Sequence, residues 1–139
     1  MPVKVFIDTS ALFALEDADD RHHHEARAIQ GRLQHERPVL FTTHHILDES
    51  VTLIGSKLHP AQAVSFARHV LSSRIIRVVR TDENVEQAAL NVYERFNDPR
   101  LSFTDCLSFA VMRGLGISTA FAFDRHFEQA GFEQLRDGR

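Results

Sequence analysis

The sequence predicts an α/β protein, a three-layer sandwich in which a central, mainly parallel sheet is flanked by helices. Short runs rich in β-branched and aromatic residues recur along the chain, each largely apolar on both faces, as buried parallel strands are. Between them lie stretches with apolar residues at helical spacing. No repeat, low-complexity tract or flexible linker divides the 139 residues, so residues 1–139 are expected to form a single domain around one core. Strands alternating with helices imply right-handed crossovers.

The first strand is read at Val3 to Ile7, closed by Asp8. Asp19 to Glu36 has only a narrow stripe of Ala26, Ile29 and Leu33, which predicts a peripheral, solvated helix. A second strand follows at Val39 to Phe41, then a helical stripe of Ile46, Leu47, Ser50, Val51 and Ile54. Pro60 opens a further helix, whose stripe of Ala63, Val64, Ala67, Val70 and Leu71 is assigned to the core. The third strand runs from Ile75 to Val79. The clearest amphipathic segment comes next, with Val85, Ala88, Ala89, Val92, Tyr93 and Phe96 on one side and Glu86, Gln87, Asn91 and Glu94 on the other. Phe103, Cys106, Leu107, Ala110 and Val111 repeat the pattern until Gly114 and Gly116 stop it. The fourth strand, Thr119 to Phe123, ends at Asp124.

Composition narrows the classes. A chain with 43% hydrophobic and 25% charged residues is globular, and eleven Phe with no Trp make Phe the bulky core filler. One cysteine, Cys106, allows neither an intrachain disulfide nor a cysteine-cluster zinc site, and its place on an apolar stripe predicts a buried, inert thiol. No apolar run approaches the ~18 residues of a membrane span, and the N-terminus lacks the zones of a secretory signal, so the expected location is cytoplasmic. A net charge of −3 argues against coating nucleic acid by bulk electrostatics. A site built from carboxylates remains compatible with it, because bound cations cancel that charge locally.

Two acids, Asp8 and Asp124, stand at the ends of strands, where open α/β sheets form their ligand crevice. A strand-ending Asp also serves as a helix cap or turn former. Two more lie within apolar segments. Asp105 follows Ser102 by three residues, the spacing of a capping box, and Glu49 is one turn into its helix with Asp48 beside it. Spacing does not choose between Asp48 and Glu49.

Asp-Thr-Ser-Ala-Leu after the first strand, Ile-Leu-Asp-Glu-Ser, Leu-Ser-Phe-Thr-Asp-Cys and Gly-Ile-Ser-Thr-Ala-Phe-Ala-Phe-Asp-Arg-His-Phe resemble the successive motifs of PIN-domain proteins, particularly VapC toxins. The order, separations and length agree over essentially the whole chain. The resemblance implies a PIN-like fold and a toxin of a toxin-antitoxin pair, a metal-dependent endoribonuclease that leaves a 5′-phosphate. It implies that Asp8, Glu49, Asp105 and Asp124 are the catalytic, metal-binding acids, with Ser10 and Thr104 as supporting polar groups. Asp124 stands at the most variable of these positions. The implied cofactor is Mg²⁺ or Mn²⁺, and the implied partners are RNA, a cognate antitoxin and a second copy of the chain.

The chemistry suits those residue types. Hard cations take oxygen ligands, and carboxylates can hold one or two of them against a phosphodiester without a protein nucleophile. Among the nine histidines, His22 to His24 read as a solvated helix start, since consecutive helical residues cannot chelate one ion. His44 and His45, and Arg125 with His126, lie nearer the expected crevice, while Arg125, Arg100 and Lys57 are phosphate-binding candidates that serve equally as surface charges. Two other classes stay open. One is a phosphotransfer or phosphatase enzyme on a doubly wound fold, although the position two after Asp8 holds Ser10 and not an acid. The other is a PIN-like binding module without catalysis.

Overall fold

The computed structural model describes residues 3–138. Its sheet has five strands, all parallel, in the order β3-β2-β1-β4-β5. In chain order the elements are β1 (Lys4–Ile7), α1 (Thr9–Glu16), α2 (His23–Glu36), β2 (Val39–Thr43), α3 (His44–Lys57), α4 (Pro60–Ser72), β3 (Ile76–Val79), α5 (Glu83–Phe96), α6 (Phe103–Leu115), β4 (Thr119–Phe121), α7 (His126–Gln129) and β5 (Glu133–Gln134).

β1 is central, and Val5, Phe6 and Ile7 are buried because both neighbouring strands and the flanking helices cover them. Phe6, Phe109, Phe121 and Phe127 are the largest fully buried side chains, so phenylalanine does fill the core. Phe109 meets Phe127 edge to face at 5.0 Å between ring centres, a favoured geometry for aromatic pairs. Strand order reverses between β1 and β4, since the chain winds outward through β2 and β3 and then returns to the other side of β1. That reversal opens a crevice at the carboxyl ends of β1 and β4. The Asp8 N–H donates to the Phe121 carbonyl at 3.0 Å and closes the crevice floor.

Several expectations shift. β5 has two residues, too few to show any periodicity, and the sequence predicts no strand there. β4 ends at Phe121, so Asp124 lies three residues past the strand and not at its end. On α4 the buried side is Ala63, Phe66 and Val70, whereas Val64 and Leu71, assigned to the core, are 47% and 57% exposed. Ala63 and Val70 are buried as expected, and Phe66 takes the place of Val64 and Leu71, which together with Ala67 form an equally regular apolar row. On α5 only Ala89 and Val92 are buried, and Ala88 and Tyr93 are exposed. This helix packs mainly against α6, as the tilted contact of Phe96 with Phe109 illustrates, and lies off the sheet. His22 is not a solvated helix residue: it precedes α2, half-buried, with its ring stacked on Phe123 at 4.3 Å.

Candidate metal centre

Asp8 enters the crevice because β1 ends there and α1 begins at once. Its backbone is extended, and its carboxylate caps α1 by accepting from the Ser10 N–H at 3.2 Å. The Ser10 hydroxyl also donates to the same oxygen at 2.7 Å, while accepting from the Phe123 N–H at 2.9 Å. One hydroxyl therefore ties Asp8 to the segment that leads into Asp124. Asp8 is 4% exposed, and this burial pushes its pKa up to about 6 against the lowering effect of the Ser10 hydrogen bonds; Glu49 and Asp124 raise it further by repulsion.

Asp105 is held by a capping box. Its N–H donates to the Ser102 hydroxyl at 3.0 Å and its carboxylate accepts from the Ser102 N–H at 3.4 Å. The structural and the chemical readings of this acid thus coexist. At 8% exposure, desolvation pushes its pKa up to about 7, with Asp8 and Asp124 adding repulsion. Cys106 beside it faces the core with its thiol pushed up to about 11, first by burial and then by Asp105, as an unreactive thiol requires.

Glu49 and Asp48 diverge on α3, as neighbours on a helix must. Glu49 accepts from the Thr9 hydroxyl at 2.5 Å, and Thr9 in turn accepts from Ser50 at 3.3 Å, so Glu49 is drawn toward the end of β1. Both acids are exposed, and Asp48 stands near His45. Both line a half-open groove of about 360 Å³ beside the crevice, together with His45, Thr52 and Thr104. His45 donates to or accepts from Thr81 at 2.8 Å, and burial followed by His44 lowers its pKa.

Asp124 occupies the loop between β4 and α7. Its Oδ1 receives the His126 N–H at 2.9 Å and lies 2.8 Å from His126 Nδ1. Oxygens of Asp105 and Asp124 and a nitrogen of His126 all lie within 4.8 Å of one another. The structure therefore brings Asp8, Asp105 and Asp124 into one mutually repelling set, with Ser10 inside it, while Glu49, exposed on α3, reaches only Asp8, and Thr104 lies at the rim. Arg125 is exposed at this edge, and Arg100 is engaged with Asp98 at 3.2 Å. Three residues of the site were not singled out from the sequence. Thr9 lies between two candidate positions, Ser50 shows in the sequence only as a stripe residue, and Asp98 carries no local signal because only the fold brings its loop to His126.

The donor set fits a hard divalent cation. Three carboxylates repel one another and Glu49 stands beside one of them, Asp8; two of the four are kept from ionising easily by burial, and no ion pair with Lys or Arg involves any of the four among the described residues.

Comparison with known proteins gives a consistent result. The PIN domain model matches residues 5–133. The chain is 36% identical over 132 residues to the 23S rRNA-specific endonuclease VapC20 of Mycobacterium tuberculosis, covering 95% of this chain and 98% of that one. It is 32% identical over 127 residues to a VapC ribonuclease of Archaeoglobus fulgidus, covering 87% and 77% of the two chains. The crystal structure of M. tuberculosis VapC20, described as a sarcin-ricin loop cleaving toxin, superposes with a TM-score of 0.85 over 95% of this chain and 98% of that one, at 36% identity. DNA-bound VapBC from Salmonella typhimurium shares the fold at 13% identity, with a TM-score of 0.70 over 96% of this chain and 97% of that one.

Proposed function

Because the chain belongs to the PIN-domain family, with VapC ribonucleases among its relatives, we propose that it is the toxin of a toxin-antitoxin pair, a metal-dependent endoribonuclease that hydrolyses RNA phosphodiester bonds. The observation that carries this reading is the mutual repulsion of Asp8, Asp105 and Asp124 at the strand-order reversal, two of them with raised pKa values, with Glu49 beside Asp8. A phosphatase using Asp8 as nucleophile is disfavoured. Ser10 occupies the position of the required acid and spends its hydroxyl on Asp8 and Phe123.

Asp8, Glu49, Asp105 and Asp124 would hold Mg²⁺ or Mn²⁺, which when bound polarises the scissile phosphate and lowers the pKa of a bound water. The protein's part is placement. Ser10 fixes Asp8, Ser102 fixes Asp105 and Thr9 fixes Glu49, so the carboxylates are oriented before substrate arrives. The adjoining groove lined by His45, Thr52, Ser56 and Thr104 offers hydrogen-bonding groups to the flanking nucleotides.

The reading includes a protein antitoxin and a second copy of the chain as partners. Support comes from VapBC complexes among the structures sharing the fold, and from Leu90, Tyr93 and Phe103, large apolar residues left exposed on α5 and α6. The first RNA to test is the sarcin-ricin stem-loop of 23S rRNA, because the 36%-identical relative is named for it. Antitoxin-free protein is expected to cut that RNA in Mg²⁺ or Mn²⁺ and to stop in EDTA. Undiminished cleavage in excess EDTA would remove the metal from the mechanism.

A further inference from the structure

We propose that His126, oriented by Asp98, is itself a ligand of the metal centre, so that its Asp124 corner offers nitrogen as well as oxygen and the centre takes Mn²⁺ more tightly than Mg²⁺. The proposal rests on the reading of this site as a divalent-metal nuclease centre. Donor atoms of His126, Asp124 and Asp105 already lie within 4.8 Å of one another. His126 Nδ1 is 2.8 Å from Asp124 Oδ1, close to the roughly 3 Å that separates neighbouring ligands bound about 2.1 Å from one ion. Little movement therefore converts the hydrogen-bonded pair into two ligands of a shared cation.

The other ring nitrogen supplies an independent sign. His126 Nε2 faces Asp98 Oδ2 at 3.5 Å. Imidazoles that bind metals almost always hold their second nitrogen against a carboxylate or carbonyl, which fixes the ring and raises its basicity. Asp98 is well suited to that task. It accepts from the Arg100 N–H at 2.9 Å and from Arg100 Nε at 3.2 Å, and those bonds hold its carboxyl below the usual range. The backbone adds precision, since the His126 N–H donates to Asp124 Oδ1 and locks the turn that carries both side chains. Neither ring nitrogen contacts solvent-facing chemistry elsewhere; the side chain is 16% exposed and both nitrogens address carboxylates.

The consequence is selectivity. Mg²⁺ is hard and gains little by exchanging water for imidazole, whereas transition-metal ions gain more. A histidine that only positioned Asp124 would affect both ions alike.

The test uses the full-length chain with ¹⁵N-labelled histidine, titrated with Mn²⁺ and followed by pulsed EPR. Directly bound nitrogen is expected in the wild type and absent in His126→Gln. Mn²⁺ binding of that variant should weaken about 10–100-fold, with Mg²⁺ binding, measured by competition, changing by less than about threefold. His126→Asp, which restores an oxygen ligand, should bind Mn²⁺ without nitrogen coupling and serves as the folded control. Absence of nitrogen coupling at saturating Mn²⁺, its persistence in His126→Gln, or equal weakening of both ions would overturn the assignment. A wild-type protein that cuts RNA and binds Mn²⁺ without nitrogen coupling would overturn only the role of His126. One that binds no divalent ion would overturn the nuclease reading as well.

Discussion

The two sides of the acidic crevice are built on opposite terms. On the β1–α6 side, Asp8 and Asp105 are buried, each caps a helix, and each is pushed toward neutrality by desolvation. On the β4–α7 side, Asp124 and His126 are half-buried on a loop and a four-residue helix, and they are held by a local turn and by Asp98. The buried side spends folding stability to keep anions where a cation is wanted, as active sites commonly do. The looser side tunes what the site accepts at little cost to the fold.

That contrast sets the ranking of variants. Asp105→Asn should cut RNA cleavage the most, by about 10³-fold or more, because Asn retains the capping acceptor but removes a negative charge from between Asp8 and Asp124, where a cation would be held. Asp124→Asn should lose less. If single-turnover cleavage rates placed Asp124→Asn below Asp105→Asn, the division into a chemical side and a tuning side would break.

A second contrast lies within α3. Glu49→Gln is expected to lower cleavage about 100-fold, and Asp48→Asn less than about threefold, since Glu49 is tied to Thr9 and Asp48 is turned toward His45. Equal losses in the same assay would mean that both acids face the metal.

Ser10→Ala tests the link between the two sides. It removes the hydroxyl that joins Asp8 to the Phe123 N–H, while the Ser10 backbone cap survives. A loss of about 10-fold in cleavage is expected, within the range for groups that orient ligands. An unchanged rate would show that Asp8 needs no such fixing.

The same two sides differ in how far the sequence exposed them. Asp8 and Asp105 were found because strand ends and helix starts are local patterns, and the motifs around them sit on the elements that place them. Glu49 was chosen over Asp48 only through the family resemblance, and the Thr9 hydrogen bond that separates them in space joins residues forty positions apart. Asp98 was invisible for a stronger reason. It lies in a loop whose only function-bearing contact, with His126, is made by the fold. The fold itself was legible in its strand and helix alternation. What failed was the width of the buried face on α4 and α5: Ala63, Val70, Ala89 and Val92 are buried as expected, but Val64, Leu71, Ala88 and Tyr93 are exposed, because periodicity marks an apolar row without saying what covers it.

The central claim is that buried acids cost the metal-free protein stability and that a cation returns it. Asp8 and Asp105 have folded pKa values raised above the unfolded 3.8, so the sign is fixed: their contribution favours the fold at low pH and is lost as pH rises through about 6 and about 7. Thermal melts of wild type and Asp8→Asn, at pH 5 and pH 8, in EDTA and in saturating Mn²⁺, test this directly. Asn keeps an acceptor for Ser10 with weaker hydrogen bonds, so in EDTA at pH 8 the variant should be more stable by about 1–2 kcal/mol, a rise in Tm of roughly 3–6 °C. The difference should shrink at pH 5, and Mn²⁺ should raise the wild-type Tm more than that of the variant. A variant that melts well below wild type in EDTA at pH 8 would make Asp8 a structural cap and contradict the account.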